Sequence, residues 1–512
     1  MTWRMRGPLA LAATLALANL APIFWYARQT APNSDGVEKF LETQAILQGH
    51  ILLGGWVLPE DSTYFTELPF DLFWAALKGV SPALLYLVPT TVFAVLLFAS
   101  LALIARAVAR PEQGWIAVPA GFALIGMPLA FWPILANCSH IATIAGAILV
   151  YLLLRPLLTG RAWRPALAPY LLCVAAVTAS DPFAHVFVTA PIVLFFAARM
   201  VPIRDARRTS LALAAVTVAA AVAGATFPWV VRLAGGFETQ WPISFSFVHW
   251  DHWGAVLTAI PEVFGKLAGF VPNFGPPVRW GASEITRAAI VAAAVASCLA
   301  VVAGRWRRRD EFILLLILAG AVPIAASAIS EQFYDTLTAA QRYLAPSYIL
   351  LSIAAAIAFP DLIARFRSEA ARGMALSVAG VAALALWAHY VAAAWPLAAQ
   401  PPAIATMPQR QLADWLIARR LTYGVGDFWA ARTADALGGG AFLIASVTAK
   451  DGRLEPFHWQ SSRAEFGPPP QFVVFYEPDI YGITLDTVRA TYGPVASVEH
   501  VAGMTVSILA PR

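Results

Sequence analysis

Charge is what this chain has least of: only 13% of its 512 residues are Asp, Glu, Lys or Arg, against 59% that are hydrophobic. A soluble fold of this length needs far more polar surface, so the composition excludes one. Cysteine is almost absent as well. Cys138, Cys173 and Cys298 lie within or at the edge of long apolar runs, so no disulfide framework can staple the polar segments. There is no GxSxG elbow, HExxH pair, P-loop or Asp-x-Asp of the nucleotide-sugar enzymes, which removes the readings that rest on them. The run Gly438 to Gly440 precedes a strand-like stretch instead of following one, and reads as a helix stop rather than a phosphate cradle. No repeat of fixed period occurs.

What the chain does have is a series of apolar runs, about eleven of them of bilayer-crossing length. They cover 8–27, 83–105, 115–135, 138–154, 168–182, 184–199, 210–230, 288–304, 312–329, 343–360 and 374–397. Asp181 and Pro182 divide the 168–199 region into two spans. Arginine marks every second connection: Arg4 and Arg6, Arg106 and Arg110, Arg155 and Arg161, Arg199 to Arg208, Arg305 to Arg309, and Arg365 to Arg372. Short cytoplasmic loops retain positive charge, so this alternation predicts a cytoplasmic N-terminus and an exported C-terminal tail in a bacterial inner membrane. The net charge of +5 is then a sign of topology, with no nucleic acid as partner. The first run is long for the core of a signal peptide and no small-x-small site follows it, so it is expected to stay as a span.

The expected organisation is a transmembrane domain over 1–397, with exported loops 28–82 and 231–287, and an exported C-terminal domain over 398–512. In the tail, strand-like AFLIASVT (441–448) and QFVVFYE (471–477) alternate with helix-like QRQLADWLIARRL (409–421) and TLDTVRATYG (484–493). That alternation predicts a small α/β domain. Trp429, His458, Trp459 and Arg463 are its candidates for an acceptor surface, or equally its own core and rim.

The stretch APNSDGVEKFLETQAILQGH (31–50) follows the first span directly. On helical spacing, Val37, Phe40, Leu41, Ala45, Leu47, Ile51 and Leu52 fall on one side, with Glu38, Lys39, Glu42 and Thr43 on the other. This predicts a helix lying in the membrane interface, with its apolar face in the headgroups and its charged face in water. Asp35 at its start has two readings. It can cap the helix with Glu38 in a capping-box spacing, or it can serve as a base that takes a proton from an attacking hydroxyl.

The plan of a cytoplasmic N-terminus, one span, an acidic residue opening a juxtamembrane helix, about eleven spans and an exported C-terminal domain resembles the GT-C class of polyprenyl-phosphate-sugar-dependent glycosyltransferases. Residues 33–77 carry most of the likeness, with AAQRYLAPSYILL (339–351) beside them. Within that class the chain looks most like the bacterial mannosyltransferases and arabinosyltransferases. The resemblance implies an inverting transfer from a lipid-linked sugar to an envelope glycan, lipid or protein, with Asp35 as the catalytic base. Many members have Asp-Glu adjacent where this chain has Asp35-Gly36, which leaves Glu38 or Glu67 as a second carboxylate.

A departing lipid phosphate calls for a cation at the exported interface. Arg342 is the first candidate, as a phosphate grip or as a membrane anchor. Arg287 and Lys266 follow, with Arg279 behind them. WPISFSFVHWDHWGAV (241–256) offers His249, Asp251 and His252 among aromatics that suit either a sugar platform or an interfacial belt. Two imidazoles without a third ligand make no metal motif; a divalent metal is allowed but unsupported. Asp181 and His185, at a break between spans, are further substrate-binding candidates. The alternative is a transporter or flippase of a lipid-linked saccharide, which would place paired charges inside the spans, where this chain has almost none.

Overall fold

The computed structural model describes residues 3–126, 140–159, 163–200, 207–240, 246–269, 281–304, 311–331, 340–366, 368–478 and 480–511. Cys138, Arg279 and the second half of the expected span 115–135 lie outside these residues. The first part of the chain is built from α1 (Trp3–Ala18), α2 (Leu20–Gln29), α3 (Ser34–Leu47), β1 (Trp56–Leu58), α4 (Leu68–Lys78), α5 (Leu84–Ala107) and α6 (Gly114–Ile125). It continues through α7 (Ile141–Leu158), α8 (Trp163–Ser180), α9 (Ala190–Arg199), α10 (Arg207–Ala225), α11 (Phe227–Leu233), β2 (Glu238–Thr239) and α12 (Trp253–Leu267). Then come α13 (Ala282–Val302), α14 (Glu311–Ala328), α15 (Ala340–Ile363) and α16 (Glu369–Ala394). The tail holds α17 (Pro408–Ala418), β3 (Tyr423–Gly426), α18 (Phe428–Gly438), β4 (Leu443–Lys450), β5 (Arg453–Pro456), β6 (Ser461–Ser462), β7 (Phe472–Tyr476), α19 (Leu485–Tyr492), β8 (Val495–Val501) and β9 (Met504–Leu509).

Among the described residues, eight helices are long and apolar enough to cross a membrane, and Pro165–Ser180 and His185–Arg199 are shorter apolar helices. The chain is a helical membrane protein because its backbone donors have no partner in lipid other than their own helix. Hydrophobic burial drives no association inside a bilayer, so the helices meet where small residues let backbones approach. Gly224 of α10 shows this. A Cβ there would stand 2.1 Å from Thr178 Oγ1 and 2.4 Å from the Ala175 carbonyl of α8. Between α8 and α9 the backbone breaks where sequence expects it. Asp181 Oδ1 accepts from Phe183 N at 2.9 Å, and Pro182 cannot continue the helix. The chain re-enters through a π-helical turn at His185–Thr189.

The tail folds around a six-stranded mixed sheet of order β5-β4-β3-β7-β9-β8. The central strands β4, β3 and β7 are parallel, and α18 crosses over between β3 and β4. Burial on both faces explains why FVVFY (472–476) is continuously apolar rather than alternating. A second, three-stranded sheet of order β2-β1-β6 joins three distant parts of the chain. The strand β1 follows the juxtamembrane helix, β2 lies beyond α11, and β6 belongs to the tail. The tail is thereby stitched onto the loops of the helical bundle. Gln460 N donates to Val57 O at 2.8 Å, Arg463 N to Gly55 O at 2.9 Å, and Arg463 pairs with Glu238 at 2.8 Å.

The juxtamembrane helix differs from its expected setting. Glu38, Lys39, Glu42 and Thr43 face protein, not water, with exposures of 0%, 7%, 0% and 0%. It is Leu47, Ile51 and Leu52 that are exposed. The helix ends at Leu47, and its charged side is covered because partners for those charges arrive from the loop at Ser62 and from α18 of the tail. Amphipathic spacing identifies two faces, and both are covered: Val37, Phe40, Leu41 and Ala45 are buried too, while complementary charge makes burial of the other side tolerable.

Candidate functional site

The N-cap of α3 is Asn33, whose side chain accepts from Gly36 N at 3.0 Å. That cap relieves Asp35 of the task and leaves it in the first helical turn with a buried Oδ1 that has no hydrogen-bond partner. The next residue back, Ser34, is tied to the tail: its hydroxyl donates to Phe428 O at 2.8 Å. Asp35 is therefore positioned from both sides of the helix start.

Arg342 lies at the beginning of α15, and each of Asp35 and Arg342 sits within the other's field. Its Nη2 donates to the Tyr343 hydroxyl at 2.9 Å, its guanidinium lies 4.9 Å from the centre of that ring, and its buried Nε has no partner. A third group, unmarked in the sequence reading, is Asp61, in the field of Arg342, Lys39, His140 and Asp181. Lys39 donates to Glu42 at 2.7 Å and to the Ser62 carbonyl at 3.3 Å, so one ammonium fastens the Asp61 loop to the helix that carries Asp35. The other end of this loop is pinned to the break after α8, where Thr63 N donates to Ser180 O at 2.9 Å and Phe65 N to Ser180 Oγ at 2.8 Å.

Burial pushes the Asp35 carboxyl up from 3.8 to about 6, with Asp61 adding to the rise and Arg342 and Lys39 opposing it. A carboxylate so placed is ionised near neutral pH yet basic enough to take a proton, the combination general-base work requires. Asp61 is also raised, chiefly by burial, while the cations His140, Lys39 and Arg342 restrain it.

The remaining candidates divide. Glu38 sits on the back of α3, fully buried, with neither oxygen hydrogen-bonded. Burial drives it well up, and Lys39 and Arg432 pull against that rise. Glu67 accepts from Ala142 N at 3.1 Å and from the Thr66 hydroxyl, so its carboxyl is engaged at the N-terminus of α7; burial raises it to about 7. Asp181 pairs with His140 at 2.5 Å beside the Asp61 loop. His185 is turned to Thr189 at 3.3 Å in the π-helical turn. His249 and Asp251 pair with each other at 3.0 Å on an open surface, their side chains 67% and 62% exposed, and the His252 ring lies 6.3 Å from that of His249. Lys266 pairs with Glu262 at 2.8 Å. Among the described residues, no contact brings Lys266 or the His249–Asp251 pair to Asp35.

Arg287 lies in a small recess with Tyr348, Leu267 and Ala268. Ala123, Leu124 and Ile290 line both this recess and a wide apolar groove of about 660 Å³ between α6, α13, α15 and α16. The groove runs past Pro119, Phe359 and Ala383 and is almost free of polar atoms, the lining a hydrocarbon chain requires. Among the described residues, no three His, Cys, Asp or Glu gather as metal ligands.

The tail reaches this region through Arg432 of α18, which is fully buried. Its Nη1 donates to Glu465 at 2.7 Å, Glu38 lies in its field, and its guanidinium lies 6.0 Å from the centre of the Trp56 ring. Burial raises the neighbouring Asp435 to about 7 against the pull of Arg432. Trp459 packs on Phe428 and Phe457 and Trp429 on Phe428, so both tryptophans among the tail candidates belong to one aromatic cluster, while His458 packs on Phe466.

Bundle, juxtamembrane helix and tail domain together make the GT-C fold. The chain superposes end to end on the crystal structure of ArnT from Cupriavidus metallidurans in the apo state, with a TM-score of 0.60, 12% identity and 99% of each chain covered. The same protein bound to undecaprenyl phosphate matches with a TM-score of 0.59 and 14% identity, again over 99% of each chain. No family model and no curated protein matches the sequence.

Arg432→Met keeps the bulk and removes the charge that faces Glu465 and Glu38. Leaving those buried carboxylates without their cation costs about 3–5 kcal/mol. The expected result is a lowered unfolding midpoint in detergent and faster proteolytic cleavage between α16 and α17; an unchanged midpoint would show that the charge plays no part in docking the tail.

Proposed function

We propose that this chain is an inverting glycosyltransferase of the membrane, moving a sugar from a polyprenyl-phosphate-linked donor to an exported envelope glycan, lipid or protein. The observation that carries this reading is that Asp35, with a buried and unpartnered Oδ1, and Arg342, with a buried and unpartnered Nε, lie within each other's electrostatic reach. The fold shared with a protein crystallised with undecaprenyl phosphate supports the lipid donor, and so does the apolar groove beside Arg287, which has room for an isoprenoid chain. In this reading residues 1–397 form the membrane domain, 398–512 the exported domain, and the arginine-marked connections face the cytoplasm of a bacterial inner membrane.

The chemistry follows from charge flow. The acceptor hydroxyl attacks the anomeric carbon from the face opposite the phosphate and its proton passes to Asp35. The bond from that carbon to the phosphate oxygen breaks with its electron pair on the oxygen. Arg342 meets the developing charge where water is scarce, so its attraction is little screened. Inversion results because one displacement takes place and no sugar is held on the enzyme.

Three outcomes test this. Asp35→Asn keeps the shape and removes the base, so transfer of labelled sugar to endogenous acceptor in membranes falls at least about 100-fold with insertion unchanged. Wild-type transfer in that variant would end the base assignment. The reaction needs ionised Asp35, so the rate rises with pH through about 6 and lies about tenfold below its plateau at pH 5. The linkage has the opposite sign: protonated Asp35 is the form that burial favours, so its contribution to stability is fullest below the ordinary 3.8 and is lost as pH climbs through about 6. Arg342→Ala removes charged hydrogen bonds of about 1.5–3 kcal/mol, which raises the donor KM about 10–100-fold; an unchanged KM returns Arg342 to the role of membrane anchor.

A further inference from the structure

His140 has no part in the reaction as drawn so far, yet its surroundings are those of a working group. It is 4% exposed, in front of α7, with a backbone φ of +61°. That left-handed conformation costs a residue with a Cβ about 1 kcal/mol or more, and Gly or Asn would adopt it with less strain. The imidazole is fixed on three sides. Nδ1 meets Asp181 Oδ2 at 2.5 Å, the Phe183 ring lies 5.5 Å away, and the Tyr343 ring lies 5.9 Å away. Asp181 is itself held by Phe183 N. Tyr343 is the residue that Arg342 bonds, so His140 and Arg342 flank one aromatic ring. The bond to Asp181 occupies Nδ1 and leaves Nε2 as the ring's other nitrogen. The charged groups around the imidazole are Asp181 from the α8 end, Asp61 from the first loop and Arg342 from α15, with Glu67 near the pair.

We propose that His140, oriented by Asp181, is the acid that protonates the departing polyprenyl phosphate. This rests on the lipid-donor reading above and adds the missing half of its proton balance. The carbon–oxygen bond to the phosphate breaks with its electron pair on oxygen. The imidazolium gives its Nε2 proton to the phosphate, and Asp35 receives the proton of the acceptor hydroxyl. The lipid leaves as a monoanion, and exchange with water returns one proton to His140 and takes one from Asp35. A carboxylate on Nδ1 is what keeps an imidazole charged and aims its other nitrogen. Burial works against that charge, but Asp181 and Asp61 outweigh it, so the imidazole is held above its ordinary range. Arg342 cannot supply the proton, because a guanidinium does not release one.

The test follows bound undecaprenyl phosphate by ³¹P NMR on the full-length protein in nanodiscs, together with sugar transfer in membranes. The substitution is His140→Asn, since Asn accepts the left-handed backbone that most residues resist. Without the imidazolium, the titration midpoint of the bound phosphate rises by about one unit, and kcat falls about 100-fold with KM little changed. A merely structural pair would leave the phosphate midpoint where it is, and that result with lipid still bound would overturn the proposal. Should His140→Asn fail to insert, Asp181→Asn removes the charge that holds the imidazole protonated and is expected to raise the same midpoint. If wild-type protein does not bind undecaprenyl phosphate at all, the lipid-donor reading falls and takes this proposal with it.

Discussion

The constraint that organises this structure is a set of charges held largely out of water, Lys39, Glu38 and Glu42 buried and Asp35, Asp61 and Arg342 half-buried beside them. Asp35, Asp61, Lys39 and Arg342 lie in one another's fields, with Glu38, Glu42 and Arg432 behind them. Each ion is costly to bury alone, and each is tolerable only while its neighbours stay in place. This explains the attachments around them. Asn33 caps α3 so that Asp35 need not, Lys39 holds the Asp61 loop, Ser180 holds the far end of that loop, and the tail presses Arg432 onto the back of α3.

The same constraint makes the tail part of the site. Asp35 follows a serine bonded to the backbone of α18, and the strand after α3 is paired on one side with a loop of the bundle and on the other with the tail. A free juxtamembrane helix of fourteen residues would be marginal in water. Fastened on both faces, it becomes an arm that holds the Asp35 carboxyl just beyond the first membrane-length helix. The proposed chemistry needs that fixity, since a base displaced by an ångström loses much of its effect.

How far this was readable without coordinates depended on how sparse each signal is. The apolar runs announced the bundle, whereas Asp35 and Arg342 stand out only with the help of the family resemblance, since spacing alone leaves Asp35 a helix cap and Arg342 a membrane anchor. The alternation of strand and helix patterns announced the α/β tail: β7 falls inside its expected run, and β4 overlaps its own but continues two residues further, to Lys450. What stayed hidden were residues whose meaning is a partner. Asp61, in PEDSTY, has the composition of a solvated turn, and Lys39 that of a wet helix face. Arg432 looks like any surface arginine of a helix until Glu465 is brought to it from 33 residues away. The three-stranded sheet was beyond reach too, because strands of two or three residues have no periodicity to detect.

His140 is the sharpest case of this kind, and it bears on how acid and base are kept apart. Asp35 and the His140–Asp181 pair reach the same region from opposite ends of the chain's first half, one on a helix capped by Asn33, the other at the break before α9. Asp61 lies between their fields and is coupled to both. Burial lifts the carboxylates toward neutrality, while the carboxylate on Nδ1 lifts the imidazole. Burial thus makes the proposed base more basic, while its carboxylate partner keeps the proposed acid charged, so the two are set by opposite electrostatic means. Asp61, in the field of both, then bears on the protonation of each: it raises the Asp35 carboxyl and helps keep the imidazole charged.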